Sequence, residues 1–292
     1  MNGRIHQTGT LLRYGLFVIL AVLPLVLGLG YALTYSLGLT GLLSEGFTLA
    51  YWAKVLSSGE VWWSVGLSFY AAVVTMSLSI GLALLAVLYW RERVLRGRFS
   101  FAWYLPLVLP AMVVAFLVFQ WLGKGGFFSR LAFQMGWTDG LQAFPTLMND
   151  PYGIGIIVAH TLMAMPFFVI LFANIYQSEQ LGVLGASAAT LGASRRQIRW
   201  RITVPVILLR ARATLLLYGI FVMSSYEVPL LLGRQSPQMV SVLVVRKLQR
   251  YNLADIPQAY VISIVYAGVV FGLLSLGLRA FPRSSRTLKH LS

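Results

Sequence analysis

Apolar residues in this chain run in long unbroken blocks rather than in alternation. Six blocks approach the ~20 residues that a helix needs to cross the hydrocarbon core of a bilayer. They lie at Tyr14–Leu37, Val65–Tyr89, Trp103–Leu122, Ile154–Tyr176, Ala211–Leu232 and Tyr260–Leu278. Continuous runs favour helices over barrel strands, in which lipid-facing and lumen-facing residues alternate. The predicted class is all-α: a polytopic membrane protein of about six transmembrane helices.

Composition supports that pattern. Of 292 residues, 58% are hydrophobic and 11% charged, whereas soluble domains carry about 25% charged residues. One water-soluble core could not hide so much apolar surface. Cysteine is absent, which excludes disulfides, thiolate metal sites and cysteine nucleophiles and leaves the redox compartment open. A net charge of +15 would suggest nucleic acid in a soluble protein. Here the cations flank apolar spans, so topology and anionic membrane lipid account for them, and no nucleic-acid partner is expected. Arg4 and Arg13 precede an apolar run longer than the ~7–15 residues of a signal core, so that run is read as the first anchor.

Most of the 23 Lys and Arg residues fall on one side. Arg4 and Arg13 precede span one, and Arg91, Arg93, Arg96 and Arg98 follow span two. Arg195, Arg196, Arg199, Arg201, Arg210 and Arg212 lie between spans four and five, and Arg279, Arg283, Arg286 and Lys289 end the chain. The other side collects Lys54, Lys124, Arg130, Arg234, Arg246, Lys247 and Arg250, with Glu45, Glu60, Asp139, Asp150 and Asp255. The positive-inside rule then puts both termini in the cytoplasm. Trp52, Trp62, Trp63 and Trp137 stand where interfacial anchoring belts are expected. Three regions follow: an anchor helix and first outer loop over 1–60, a membrane core over 61–282, and a basic tail over 283–292.

Catalytic patterns are missing. Gly123–Gly126 lacks the spacing of a phosphate loop and has no following cytoplasmic helix. His6, His160 and His290 show no metal-ligand spacing, and no nucleophile elbow or carboxylate pair occurs. No cofactor, no metal and no catalysis are expected in this chain. His160, inside span four, reads as a hydrogen-bonded packing residue. Glu227 stands within Ser224-Ser-Tyr-Glu-Val-Pro229 of span five, and an ionisable group at membrane depth is costly enough to imply a purpose. Pro229 is expected to loosen the helix there, so that Glu227 lines a solute pathway or, alternatively, bridges to Arg234 at the outer end. Ser224, Ser225, Tyr226 and Asn174 are further pathway candidates, whereas Pro106 and Pro110 set a bend in span three.

The richest stretch is the loop at 182–205. It begins with the small residues Gly182, Ala186, Ser187, Ala188 and Ala189, breaks at Gly192, and resumes at Ser194, a plausible N-cap for a helix over Ser194–Arg201. Pro205 is expected to end or bend that second helix. The result is a cytoplasmic helix pair between spans four and five. Its small residues would let a partner backbone approach closely, Leu184, Leu191 and Ile198 offer an apolar stripe, and Arg195 and Arg199 share a face. An ordinary amphipathic loop remains the alternative.

This loop resembles the EAA loop of type I ABC importer permeases, the binding-protein-dependent inner-membrane components. Ala186, Ser187 and Ala188 stand at the first three motif positions; Gly192, Ile202, Val204 and Pro205 follow at the family spacing. The resemblance covers roughly residues 60–280. It departs at Ala186, where the family carries Glu, and at Ser187, where it carries Ala. If that Glu makes an ionic contact with the ATPase, this chain lacks it, and docking rests on apolar packing, on the arginine cluster or on a companion permease. The resemblance implies a bacterial-type inner-membrane permease that forms half a pathway with a second permease, the same or a related chain. It also implies cytoplasmic ATP-binding subunits, coupled through Ala186, Ser187, Ala188, Gly192, Arg195, Arg199, Ile202 and Pro205, and an extracytoplasmic solute-binding protein. The run Tyr226–Gly233 is similar to the branch serving polyamines, ferric iron and thiamine. Glu227 favours a cation, polyamine first, while the outer-side cations are compatible with an anion such as phosphonate or sulfate. Rival readings are an ion-coupled secondary transporter, although no internal repeat is evident, a membrane-embedded enzyme, and a structural scaffold.

Overall fold

A computed structural model describes residues 15–41, 44, 46–96 and 100–280. Arg4, His6, Arg13, Glu45, Arg98 and the tail from 281, with Arg283, Arg286, Lys289 and His290, lie outside the described residues, as do the side chains of Arg93 and Arg96. Among the described residues the regular structure is helical throughout, with no strand. In chain order the helices are α1 (Gly15–Ser36), α2 (Ala50–Leu56), α3 (Gly59–Arg96), α4 (Leu105–Val108), α5 (Ala111–Leu122), α6 (Phe127–Gln134), α7 (Ile154–Ser178) and α8 (Leu181–Thr190). They are followed by α9 (Arg195–Met223), α10 (Glu227–Leu232), α11 (Val240–Leu248) and α12 (Asp255–Ala280).

Six of these segments are long and apolar enough to cross a membrane: Gly15–Ser36, Gly59–Glu92, Ala111–Gln134, Ile154–Ser178, Arg195–Met223 and Asp255–Gly277. The all-α polytopic class is therefore the observed one. The boundaries of spans three and five differ most from expectation. Span three begins at Ala111, because Leu109 turns extended ahead of Pro110, which stands at the N-cap. Span five occupies 195–223 rather than 211–232. Pro205 does not end a short helix: a wider π-type turn over Ile198–Thr203 precedes it and the helix runs on, since such a turn relieves the missing N–H and the ring clash. Downstream, the helix closes at Met223. Pro229 sits in the first turn of α10, where no intrahelical N–H is required of it.

The chain divides into two compact units, 1–62 with 243–269 and 63–242 with 270–292; α3, α11 and α12 contribute residues to both. In the first, the apolar window of α1 is 0% buried. Tyr31, Tyr35 and Tyr260 gather with ring centroids 4.7 to 6.0 Å apart, and the Trp52 indole donates to Ser36 Oγ at 3.2 Å. Trp62 donates to the Leu56 carbonyl at 2.9 Å.

In the second unit, α7 is the central element, with 56% of its apolar window buried. One core joins Ala83 and Val87 of α3 to Ala164, Phe168 and Phe172 of α7 and Ile207 of α9. Another joins Ala71, Val118, Ile156, Val228 and Leu232. Lipid tails are as apolar as leucine, so helices here associate through close packing, which alanine permits. Trp63 and Trp137 are exposed, as anchoring residues would be.

Candidate functional site

Between spans four and five the chain forms two helical arms around a tight turn. α7 ends at Ser178, and Gln180 takes a left-handed conformation at φ 48° before α8 begins. α8 ends in a paired turn: the Gly192 N–H donates to the Ala189 carbonyl at 2.9 Å and the Ala193 N–H to the Ala188 carbonyl at 3.0 Å. This closure needs a residue with positive φ, and Gly192 supplies it at φ 88°. Ser194 then caps α9: its hydroxyl accepts from the Gln197 N–H at 3.3 Å, while Gln197 Oε1 accepts from the Ser194 N–H at 2.8 Å. This reciprocal box satisfies two otherwise orphaned donors.

The arms touch. Gly185 is buried, and a Cβ there would stand 3.1 Å from Ile198 Cγ2. The expected motif residues divide by face. Ala186, Ser187, Gly192 and Arg195 are exposed, Ala188 and Ile202 are half-buried, and Pro205 is exposed on α9. Val183, Leu184 and Leu191 are exposed beside them, Leu191 at 88%. This is an apolar, small-residue surface with no carboxylate between 181 and 203.

Arg199 is turned inward: its guanidinium lies 4.6 Å from the Tyr89 ring centre. Arg91 stacks likewise over Tyr176 at 4.2 Å. Glu179 at the end of α7 forms an ion pair with Arg210 of α9, Nε standing 2.8 Å from Oε1 and Nη2 donating to Oε2 at 3.0 Å. The Arg199 pair fastens the loop to the end of span two, while the other two tie span two to span four and the end of α7 to α9. Sequence reasoning missed them, because each joins residues far apart in the chain. Gly185 and Gln197 were missed too, although the Ser-x-x-Gln spacing was there to be read.

The pathway candidates scatter. Ser225 lies in the break between α9 and α10, 2.9 Å from Nε2 of His160, and the Ser241 hydroxyl donates to its carbonyl. His160 is thus a buried, hydrogen-bonded tie between helices, as expected. Ser224 is exposed and Tyr226 half-buried. Glu227 is not inside span five; it opens α10 and is exposed, where the positive end of a helix dipole favours a carboxylate. Among the described residues it makes no ion pair with Arg234. Asn174 is exposed on α7, 14 residues beyond His160, a rise of about 21 Å. It belongs to the opposite end of the bundle from Ser225. A separate apolar groove of about 700 Å³ runs along α3 and α9 past Phe69, Met76, Leu208, Leu216 and Met223, and none of these candidates lines it. Among the described residues no three His, Asp or Glu side chains cluster as metal ligands would.

No protein-family model matches the sequence, and no curated protein matches it. Solved structures do match. A chain of a bacterial alginate ABC transporter, crystallised in complex with an alginate pentasaccharide-bound periplasmic protein, superposes with a TM-score of 0.75 at 17% identity. The match covers 98% of this chain and 97% of that one. A chain of a bacterial ABC transporter involved in the import of the acidic polysaccharide alginate gives the same values, with a TM-score of 0.75 and 17% identity. The chains of both structures share a fold with this one over nearly their full lengths.

Proposed function

We propose that this chain is the membrane-spanning permease subunit of an ATP-driven importer. One observation carries the reading: the helix–turn–helix between spans four and five, closed at Gly192 and capped at Ser194, presents Val183, Leu184, Ala186 and Leu191 to a partner. The shared fold with chains of alginate transporters supports it. The partners are two cytoplasmic ATP-binding subunits that grip this loop, a second permease, and an extracytoplasmic binding protein that delivers solute. ATP hydrolysis belongs to the separate chains. Both termini are cytoplasmic, in a bacterial-type inner membrane, as the distribution of Lys and Arg indicates.

Docking rests on apolar packing, because Ala186 stands where an acidic contact would otherwise be. The solute is small and polar. The exposed carboxylate of Glu227 makes a polyamine the first compound to test, and an acidic oligosaccharide, the class carried by the alginate transporters, is the second.

The test is affinity copurification from native membranes with mass spectrometry of the retained chains. An ATPase and a second permease are expected. Gly192→Pro is expected to abolish both ATPase retention and uptake at normal abundance, because proline cannot adopt the positive φ. A chain recovered alone, with uptake that persists without ATP, would overturn the reading in favour of ion-coupled transport.

A further inference from the structure

Three arginines line a single cavity at the loop end of the second unit. The cavity, about 350 Å³, is bounded by Arg91 of α3, Tyr176 of α7, Gly182 of α8, and Arg195, Arg199 and Thr203 of α9. No carboxylate lines it. The nearest acidic neighbours lie elsewhere: Glu92 faces adjoining cavities that also touch Arg91, and Glu179 is engaged by Arg210. Among the described residues, Arg91, Arg195 and Arg199 enter no ion pair.

Two of the three lie over aromatic rings, the guanidinium carbons of Arg91 and Arg199 standing 4.2 and 4.6 Å from the ring centres of Tyr176 and Tyr89. A cation–π contact of this kind consumes none of the guanidinium N–H donors, and among the described residues neither arginine side chain makes a hydrogen bond. Those donors form a rigid fork that fits the oxygens of a phosphate. Like charges gathered around one space repel one another, and a bound anion offsets that repulsion. Gly182 keeps one wall free of a side chain.

We propose that this cavity binds a phosphate group, carried by an anionic phospholipid headgroup or by a free phosphate. The bound group bridges the end of span two to the start of α9 and so braces the loop. Its position at the cation-rich end of the spans is where anionic lipid headgroups concentrate. The proposal goes beyond the permease assignment and does not depend on it.

The experiment uses the purified full chain. Native mass spectrometry after equilibration with equal phosphatidylglycerol and phosphatidylcholine reads lipid retention, and isothermal titration with inorganic phosphate reads the free anion. Wild type is expected to retain phosphatidylglycerol preferentially. Arg91→Gln and Arg199→Gln are each expected to weaken retention about tenfold, as loss of a charge-assisted hydrogen bond does. Arg201→Gln, on the same helix but outside the cavity, should leave it unchanged. Arg195→Gln, at an exposed side chain, supplies the same test if a stacked variant misfolds. Saturable phosphate binding lost in these variants, without lipid preference, would assign the site to free phosphate. Loss that is equal in Arg201→Gln, or retention unaffected by the cavity variants with no phosphate binding, would overturn the proposal.

Discussion

The two units solve the problem of burying polar groups in different ways. In the first, opposite charges are buried together: Lys247 and Asp255 lie 3.9 Å apart with side chains 9% and 12% exposed. Gln258 joins both, accepting from Lys247 Nζ at 3.2 Å and donating to Asp255 at 3.3 Å, while Arg250 reaches Asp255 from the surface at 3.5 Å. In the second unit the buried carboxylate, Asp150, is held by backbone instead, accepting from the N–H groups of Tyr152 and Ile154 at 2.9 and 2.8 Å. There the helices meet through alanine and phenylalanine. A mutual charge network ties its members strongly together, because losing one strands the other. Alanine packing distributes its contribution over many weak contacts and is damaged by added bulk rather than by lost charge.

Single substitutions test that contrast. The largest effect is expected at Asp255→Ala, which strands Lys247 and should cost about 3 kcal/mol. Thermal unfolding in detergent would record it, and adding Lys247→Met should recover most of the loss. If the melting temperature does not move, the network is not a strut. Ala164→Leu, at a position with 0% exposure, should cost about 2 kcal/mol by overpacking, again read as a drop in melting temperature. Ser225→Ala removes the hydroxyl facing His160 and should cost about 1 kcal/mol. In a double-mutant cycle His160→Phe should then add little further, whereas full additivity would mean the two do not interact. The smallest effect belongs to α1: Leu25→Ala, at 66% exposure, should stay within about 0.5 kcal/mol. A large loss there would show that α1 rests on a surface other than lipid.

Span one sharpens the same point. Its mean hydropathy of 2.6 exceeds the 2.3 of span four, yet its window is 0% buried against 56%. Hydropathy reports which solvent a helix tolerates, and says nothing about what it packs against. The alanines along α7, Ala159, Ala164 and Ala173, all 0% exposed, record the difference that hydropathy does not.

Near the loop, legibility followed sequence distance. The turn at Gly192 and the cap at Ser194 could be read in advance, because each is decided by backbone requirements within a few residues. The placement of span five could not. Arginines over 195–212 made the start of α9 look like loop, and Pro205 looked like an end, whereas the wider turn before it carries the helix through. The position of Glu227 was misread for the same reason: its neighbours are apolar enough to continue a span, but the helix closes at Met223.

Taken alone, the order of apolar blocks determined the class of this protein, the number of its spans and the site of its turn–cap loop, since all three depend on local solvation and local backbone geometry. Tertiary structure decided which helix occupies the centre, which arginines turn inward onto Tyr89 and Tyr176, and that Glu179 meets Arg210 across 31 positions. Those pairings are set by which helix ends arrive side by side, a property of the packed bundle that no window of sequence contains.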